Sequence, residues 1–271
     1  MEYIDTHCHP HFDDFLPDPE KILADAAEAG VGRMIAVGTT LADSQKAIDF
    51  AGAHKNVWAS AGVHPHDAAA FLADATSPEK LKQLLNKSST HTPKNKFSGG
   101  PIVAIGEIGL DFYKNYSPKQ DQIDCLKRQI EIGLPLGLPF IFHIRDAWDD
   151  FWPLFDSYSG IKGVIHSFSS NEQQLENALT RDLYIGLNGI MTFTKDGSQL
   201  EAAKEVPLNK MLLETDAPFL TPKPFRGQTC EPKHVVTVAE FLAELRGEEL
   251  EELATATTTN AVELFGLDQH E

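Results

Sequence analysis

PFIFHIRDAWDDFWPLFDSYSGIKGVIH, residues 139–166, carries the pattern from which the whole chain is built. It opens on a short apolar run rich in β-formers, Pro139–His143, and closes on a second, Gly163–His166. Between them Asp146 stands where a capping residue opens a helix, and an amphipathic pattern follows it. The stretch reads strand, helix, strand, and each strand ends in a histidine.

Six more runs of the same kind lie on either side: Tyr3–His7, Arg33–Val37, Val57–Ala61, Ile102–Gly106, Leu183–Leu187 and Met211–Thr215. Helical patterns follow Pro17 and Asp43, open at Pro78 and Ser117–Pro118, and start near Asn171 and Asp196. Eight strand–helix units in series predict a parallel (β/α)8 TIM barrel filling residues 1–271 as a single domain, with an open doubly wound sheet as the alternative. The length of 271 residues is close to the ~250 typical of such barrels. Beyond the eighth strand, Val235–Leu245 and Leu250–Phe265 predict two helices laid over the barrel. The polar stretch from Asn86 to Gly100 reads as a mobile surface loop.

Position along these units singles out the chemistry. Active sites of α/β barrels lie at the carboxyl ends of the strands. His7 and His9 close the first run, Glu107 follows the fourth, His143 and His166 end the fifth and sixth, and Asp216 follows the eighth. Residues two apart on an extended chain share a face, so His7 and His9 point one way and Cys8 the other. A carboxylate at the end of an apolar strand is costly to bury unless it is paired or bound to a cation. For Glu107 an ion pair with Arg145 is the alternative; for His143 and His166, satisfied core histidines; for Asp216, a helix cap, weakened by Pro218 and Pro222. Imidazole and carboxylate without thiolate suit Zn²⁺, Mn²⁺, Fe²⁺ or Co²⁺. Six ligands exceed the four of a structural zinc site and fit two metals ~3.5–4 Å apart. Gly106 and Gly109 beside Glu107 read as room for a ligand to approach the backbone. His54 and His91 read as surface residues.

The totals narrow the rest. A formal charge of −17 excludes holding long nucleic acid by bulk electrostatics. Three widely spaced cysteines, Cys8, Cys125 and Cys230, make no disulfide framework and suggest a reducing, cytoplasmic setting, or the nucleus in a eukaryote. The stretch Met1–His9 carries Glu2 and Asp5 and lacks the pattern of a secretory signal, and no apolar run approaches membrane length, so no membrane partner is expected. No Walker sequence, dinucleotide fingerprint or Gly-x-Ser-x-Gly elbow occurs.

In order along the chain stand IDTHCH (4–9), GVHPHDA (62–68), AIGEIGLDFY (104–113), FHIRDA (142–147), GVIHSFSS (163–170) and LLETDAPFLTPKPFRG (212–227). This string resembles the TatD family of metal-dependent deoxyribonucleases, within the wider amidohydrolase-like barrels. The resemblance implies that His7 and His9, with Asp216 beside them, bind one divalent metal ion (Zn, Mg, Mn or similar). It implies that His143 and His166 bind a second, and that Glu107 bridges the two. It further implies that His64 and Arg226 contact a substrate phosphate; Arg145 is a third candidate, chosen for its charge near the site. Three places depart from the family pattern: His11, which could ligate or be solvated, Cys230 where the family favours Asn, and the long 86–100 loop. The implied activity is phosphodiester hydrolysis at single-stranded DNA 3′ ends by a monomer, with Asp216 as the proton acceptor and Glu107 as its metal-binding partner. The alternative is a metal-dependent ester or amide hydrolase, such as an aminoacyl-tRNA deacylase or a small-molecule amidohydrolase.

Overall fold

The computed structural model describes residues 1–15, 18–86 and 100–267. Pro17, the 87–99 segment and His91 within it lie outside the described residues. The strands are β1 (Tyr3–Cys8), β2 (Val31–Val37), β3 (Val57–Ala61), β4 (Ile102–Asp111), β5 (Phe140–Arg145), β6 (Gly163–His166), β7 (Tyr184–Leu187) and β8 (Met211–Leu213). They form one sheet in chain order, β1 to β8. The helices are α1 (Pro19–Glu28), α2 (Leu41–Ala53), α3 (Ala68–Ala73), α4 (Ser77–Asn86), α5 (Lys119–Gly133), α6 (Trp148–Asp156), α7 (Glu172–Leu179), α8 (Gly197–Glu205), α9 (Val235–Arg246) and α10 (Leu250–Phe265). Parallel strands alternating with helices in this order are the (β/α)8 class.

Local chemistry explains the element ends. Asp18 caps α1 by accepting from Lys21 N, with Pro19 at the first helical position. Asn171 caps α7 and Asp196 caps α8 in the same way. Helix α2 starts ahead of Asp43, because Thr40 is its cap and Asp43 bends back to the backbone N–H of Thr39. Helix α3 is absent from the sequence reading. It is a single short turn-and-a-half that follows the 3₁₀ turn Pro65–Asp67, too brief to show a period.

Two compact units emerge, Met1–Ala36 with Ile165–Glu271, and Val37–Val164. In the first, α10 packs on β1 and β8, and its buried Asn260 donates to the carbonyls of Leu208 and Met211. Arg33 on β2 is buried between Glu2 and the carbonyl of Leu267. In the second, α5 packs on β4, and Phe140, Phe142, Phe151 and Phe155 stack into one aromatic core.

Strand β4 runs on to Asp111 rather than ending at Gly106, with all ten residues buried. Its register with β5 slips between Ile105 and Ile108, around Glu107. The β1–β2 register likewise slips between Asp5 and Cys8, around His7. A slip re-aims one side chain without ending the strand, which is how bulges serve sites. The glycines flanking Glu107 serve packing, not ligand access as the sequence suggested. A Cβ at Gly106 would lie 2.7 Å from that of Ile141, and one at Gly109 would run into the carbonyl oxygen of His143. They let β5 approach β4. No described helix is long and apolar enough to cross a membrane.

Candidate metal centre

In the unit of Met1–Ala36 and Ile165–Glu271, the ends of β1 and β8 are laced together through one buried carboxylate. Asp5 accepts from His7 N at 3.2 Å, from Thr215 N at 3.0 Å and from the Thr215 hydroxyl at 2.6 Å. Asp216 N donates to His7 O, and His9 N to Ala217 O. Burial pushes the Asp5 carboxyl up to about 7, against the pull of those donors. The lacing sets Asp216 Oδ1 3.6 Å from His7 Nε2 and 3.4 Å from His9 Nε2. Asp216 takes a left-handed backbone, φ 61°, a conformation Asp tolerates better than most residues. Burial pushes its carboxyl up, but His9, His166 and His7 outweigh that and hold it below the ordinary range. It is therefore an ionised carboxylate facing imidazoles.

His166 stacks on His7 with ring centroids 3.6 Å apart, and its Nδ1 lies 3.0 Å from Glu214 Oε1. That oxygen also accepts from Ser167 N and from the side chain of Asn188. His7, His166 and Glu214 thus bring three ligand-type atoms within 4.8 Å of one another. Glu214 was missed in the sequence. The signal was there: Glu214 and Asp216 are two apart, as His7 and His9 are. Oε1 also takes two donors, so Glu214 is held in place beside His166 within this group.

In Val37–Val164 the second group forms at the ends of β3, β4 and β5. Glu107 Oε1 lies 2.7 Å from His143 Nδ1 and 3.5 Å from His64 Nε2, and these three again form a candidate cation group. His64 Nδ1 accepts from His66 N, so its ring is held by the backbone on one side and faces Glu107 with the other. Burial lowers its pKa to about 3, with Glu107 only partly opposing, so the imidazole is neutral near pH 7. Asp111 Oδ2 is hydrogen-bonded to His143 Nε2 at 3.3 Å and to His66 Nε2 at 3.0 Å. Burial alone would raise Asp111; His143, Lys114 N and His66 together hold it well below the carboxylate range. Strand ends do not single out either partner: Asp111 lies five residues past the apolar run that ends at Gly106, and His66 lies on the 3₁₀ turn after β3.

The remaining candidates fall as follows. Arg145 lies over the Tyr113 ring at 4.0 Å. Arg226 donates to Thr221 O and lies over Phe193 at 3.9 Å. Cys8 is fully buried and donates to Ile35 O. His11 is buried against Phe12 and His9, not solvated. His54 is half-buried on Phe50, with Nδ1 2.7 Å from Phe50 O, and so is not a plain surface residue.

The donor chemistry suits a hard-to-borderline divalent cation. Both groups offer imidazole and carboxylate. The three thiols are buried, and burial raises each well above its usual pKa, which keeps thiolate out of the set.

The sequence model of the TatD related DNase family matches residues 4–266. The chain is 33% identical over 266 residues to the uncharacterized metal-dependent hydrolase YabD of Bacillus subtilis, covering 97% of this chain and 99% of YabD. It is 35% identical over 259 residues to the 3′-5′ ssDNA/RNA exonuclease TatD of Salmonella typhimurium, covering 93% and 94%. The crystal structure of YJJV, a TatD homologue from Escherichia coli, superposes with a TM-score of 0.87 at 31% identity over 97% of this chain and 98% of that one. The chain belongs to the TatD related DNase family.

Proposed function

We propose that the protein is a two-metal phosphodiesterase that removes nucleotides from the 3′ end of single-stranded DNA. The observation carrying this reading is the presence of two imidazole–carboxylate groups, one in each compact unit. His7, His9, Glu107, His143, His166 and Asp216 would together hold two divalent cations. A cation so held supplies Lewis acidity toward a phosphoryl oxygen and makes water acidic enough to attack near neutral pH.

The chain's own residues do the rest. Asp216, kept ionised by three histidines, accepts the proton of the attacking water. Glu214 and Asp111 fix the rings of His166 and His143. His64, neutral and pointing Nε2 toward the site, donates to the substrate phosphate, and Arg145 and Arg226 supply positive charge. The substrate class follows the Salmonella exonuclease, to which the chain is similar over nearly its whole length.

The test is product analysis of single-stranded DNA labelled at the 5′ end, with metal-loaded and chelator-stripped protein and an aminoacyl-tRNA control. A ladder shortening from the 3′ end, dependent on metal, is expected. Deacylation of the tRNA with intact DNA would overturn the substrate and favour ester hydrolysis.

A further inference from the structure

Among the described residues few large apolar side chains stay exposed, and two of them stand together in the turn after β4: Tyr113, 60% exposed, and Tyr116, 67% exposed. An aromatic ring left in water forgoes burial that a core position would provide. The backbone beneath them is firmly held. Asp111 Oδ1 accepts from Lys114 N, and Phe112 N donates to Arg145 O. Buried Gln122 accepts from Asp111 N and donates to the carbonyls of Asp111 and Ser117. Ser117 in turn donates to His66 O and accepts from Ala69 N. A loop so thoroughly pinned, with its two tyrosines turned outward, is a presented surface.

Its chemistry is specific. The Arg145 guanidinium lies 4.0 Å over Tyr113, and Lys114 Nζ lies 5.9 Å from the same ring. Tyr116 meets the edge of His66 at 4.6 Å. Asp111 links this turn to the candidate cation group, since the carboxylate that caps the turn also holds His143 Nε2 and His66 Nε2. On a chain of charge −17, two cations set against exposed rings form a local exception. Aromatic faces beside cations are the means by which proteins hold unpaired bases and their phosphates without reading sequence.

We infer that Tyr113 and Tyr116 form a base-stacking platform that seats the terminal nucleotides of a single strand, with Arg145 and Lys114 on the adjoining phosphates. This deepens the nuclease reading and rests on it for the substrate class. The platform selects unpaired ends, because a paired base has no free face to offer. It also explains how an acidic protein binds a polyanion: through one or two nucleotides, not a groove.

The test measures binding and cleavage separately. Fluorescence anisotropy of metal-loaded protein is recorded with single-stranded DNA carrying uncleavable 3′ phosphorothioate linkages, and with the same strand lacking bases at its last three positions. Wild-type protein is expected to bind the abasic strand more weakly. Tyr113→Ala and Tyr116→Ala are each expected to lose roughly 5- to 150-fold for the normal strand, the range corresponding to ~1–3 kcal/mol of stacking. Both variants should match wild type on the abasic strand, and Tyr113→Phe and Tyr116→Phe should retain normal affinity. Equal wild-type affinity for the two strands overturns the platform, and needs no variant to fold. Equal loss on both strands also overturns it. Base-dependent binding without hydrolysis would sink the nuclease reading and leave the platform standing; hydrolysis without base dependence would do the reverse.

Discussion

The two candidate cation groups use the same residue types but are built differently. The one in Met1–Ala36 and Ile165–Glu271 has buried imidazoles, His7, His9 and His166, around an Asp216 side chain that is 16% exposed, and Asp5 and Glu214 brace it through hydrogen bonds from Thr215 N, the Thr215 hydroxyl and Ser167 N. The one in Val37–Val164 is more open. The His143 side chain is 18% exposed and that of His66 28% exposed, and its brace, Asp111, also holds an exposed loop. The contrast separates two tasks. In the first group three imidazoles hold Asp216 ionised against the effect of its burial, and hydrogen bonds across the strand ends fix it in place. An open group on a shared brace can respond to what lies on the loop outside.

The strongest way to break this comparison is to remove one carboxylate from each group. Asp216→Asn should retain at least one metal and lose roughly 10²- to 10⁴-fold in turnover, the scale of a general base. Glu107→Ala should lose metal and activity together. Elemental analysis beside a rate assay decides: wild-type rates in either variant, or full activity of wild type in excess chelator, refute the assignment.

The braces sharpen it. Glu214→Gln and Asp111→Asn should each weaken metal affinity or rate by about 10- to 100-fold, as partners of ligating histidines do. They should differ in one respect. Asp111→Asn weakens acceptance from Lys114 N and so should also raise the KM for single strands, whereas Glu214→Gln should lower kcat with KM unchanged. Identical kinetic signatures would mean the shared brace in the second unit has no consequence.

A smaller effect concerns ionic strength. Contact with two or three phosphates implies a slope of log affinity against log salt of roughly −1.5 to −2 for single strands. Titration of strands of several lengths should give the same slope for all; a slope growing with length would reveal an extended groove.

The smallest effect is at Cys8. Cys8→Ser should leave metal content unchanged, because the thiol faces Ile35 O and not the imidazoles. Its cost is in stability, up to ~3 kcal/mol if the smaller, more polar hydroxyl finds poor partners. Loss of metal from a folded Cys8→Ser protein would show that the strand faces are reversed. All three buried thiols should also resist alkylation at pH 8 until the chain unfolds, since burial keeps them protonated.

Much of the fold and of the candidate ligand set is visible in the chain alone. Eight short β-rich runs alternate with capped amphipathic stretches, and alternation along β1 separates His7 and His9 from Cys8 before any coordinates. Those signals are local: strand and helix periods, caps and strand ends depend on a few neighbouring residues. The braces are another matter. Asp5 reaches Thr215 across 210 residues, and Glu214 reaches Ser167 across 47. Asp111 meets His66 and His143 only because β4 runs five residues further than its apolar run suggests. Nor does sequence spacing distinguish a glycine that admits a ligand from Gly109, which admits the carbonyl of His143. Which residues are candidates to ligate is written in strand ends and chemical type; which residues hold them still depends on atoms that folding alone brings within hydrogen-bond distance, and only tertiary structure decides that.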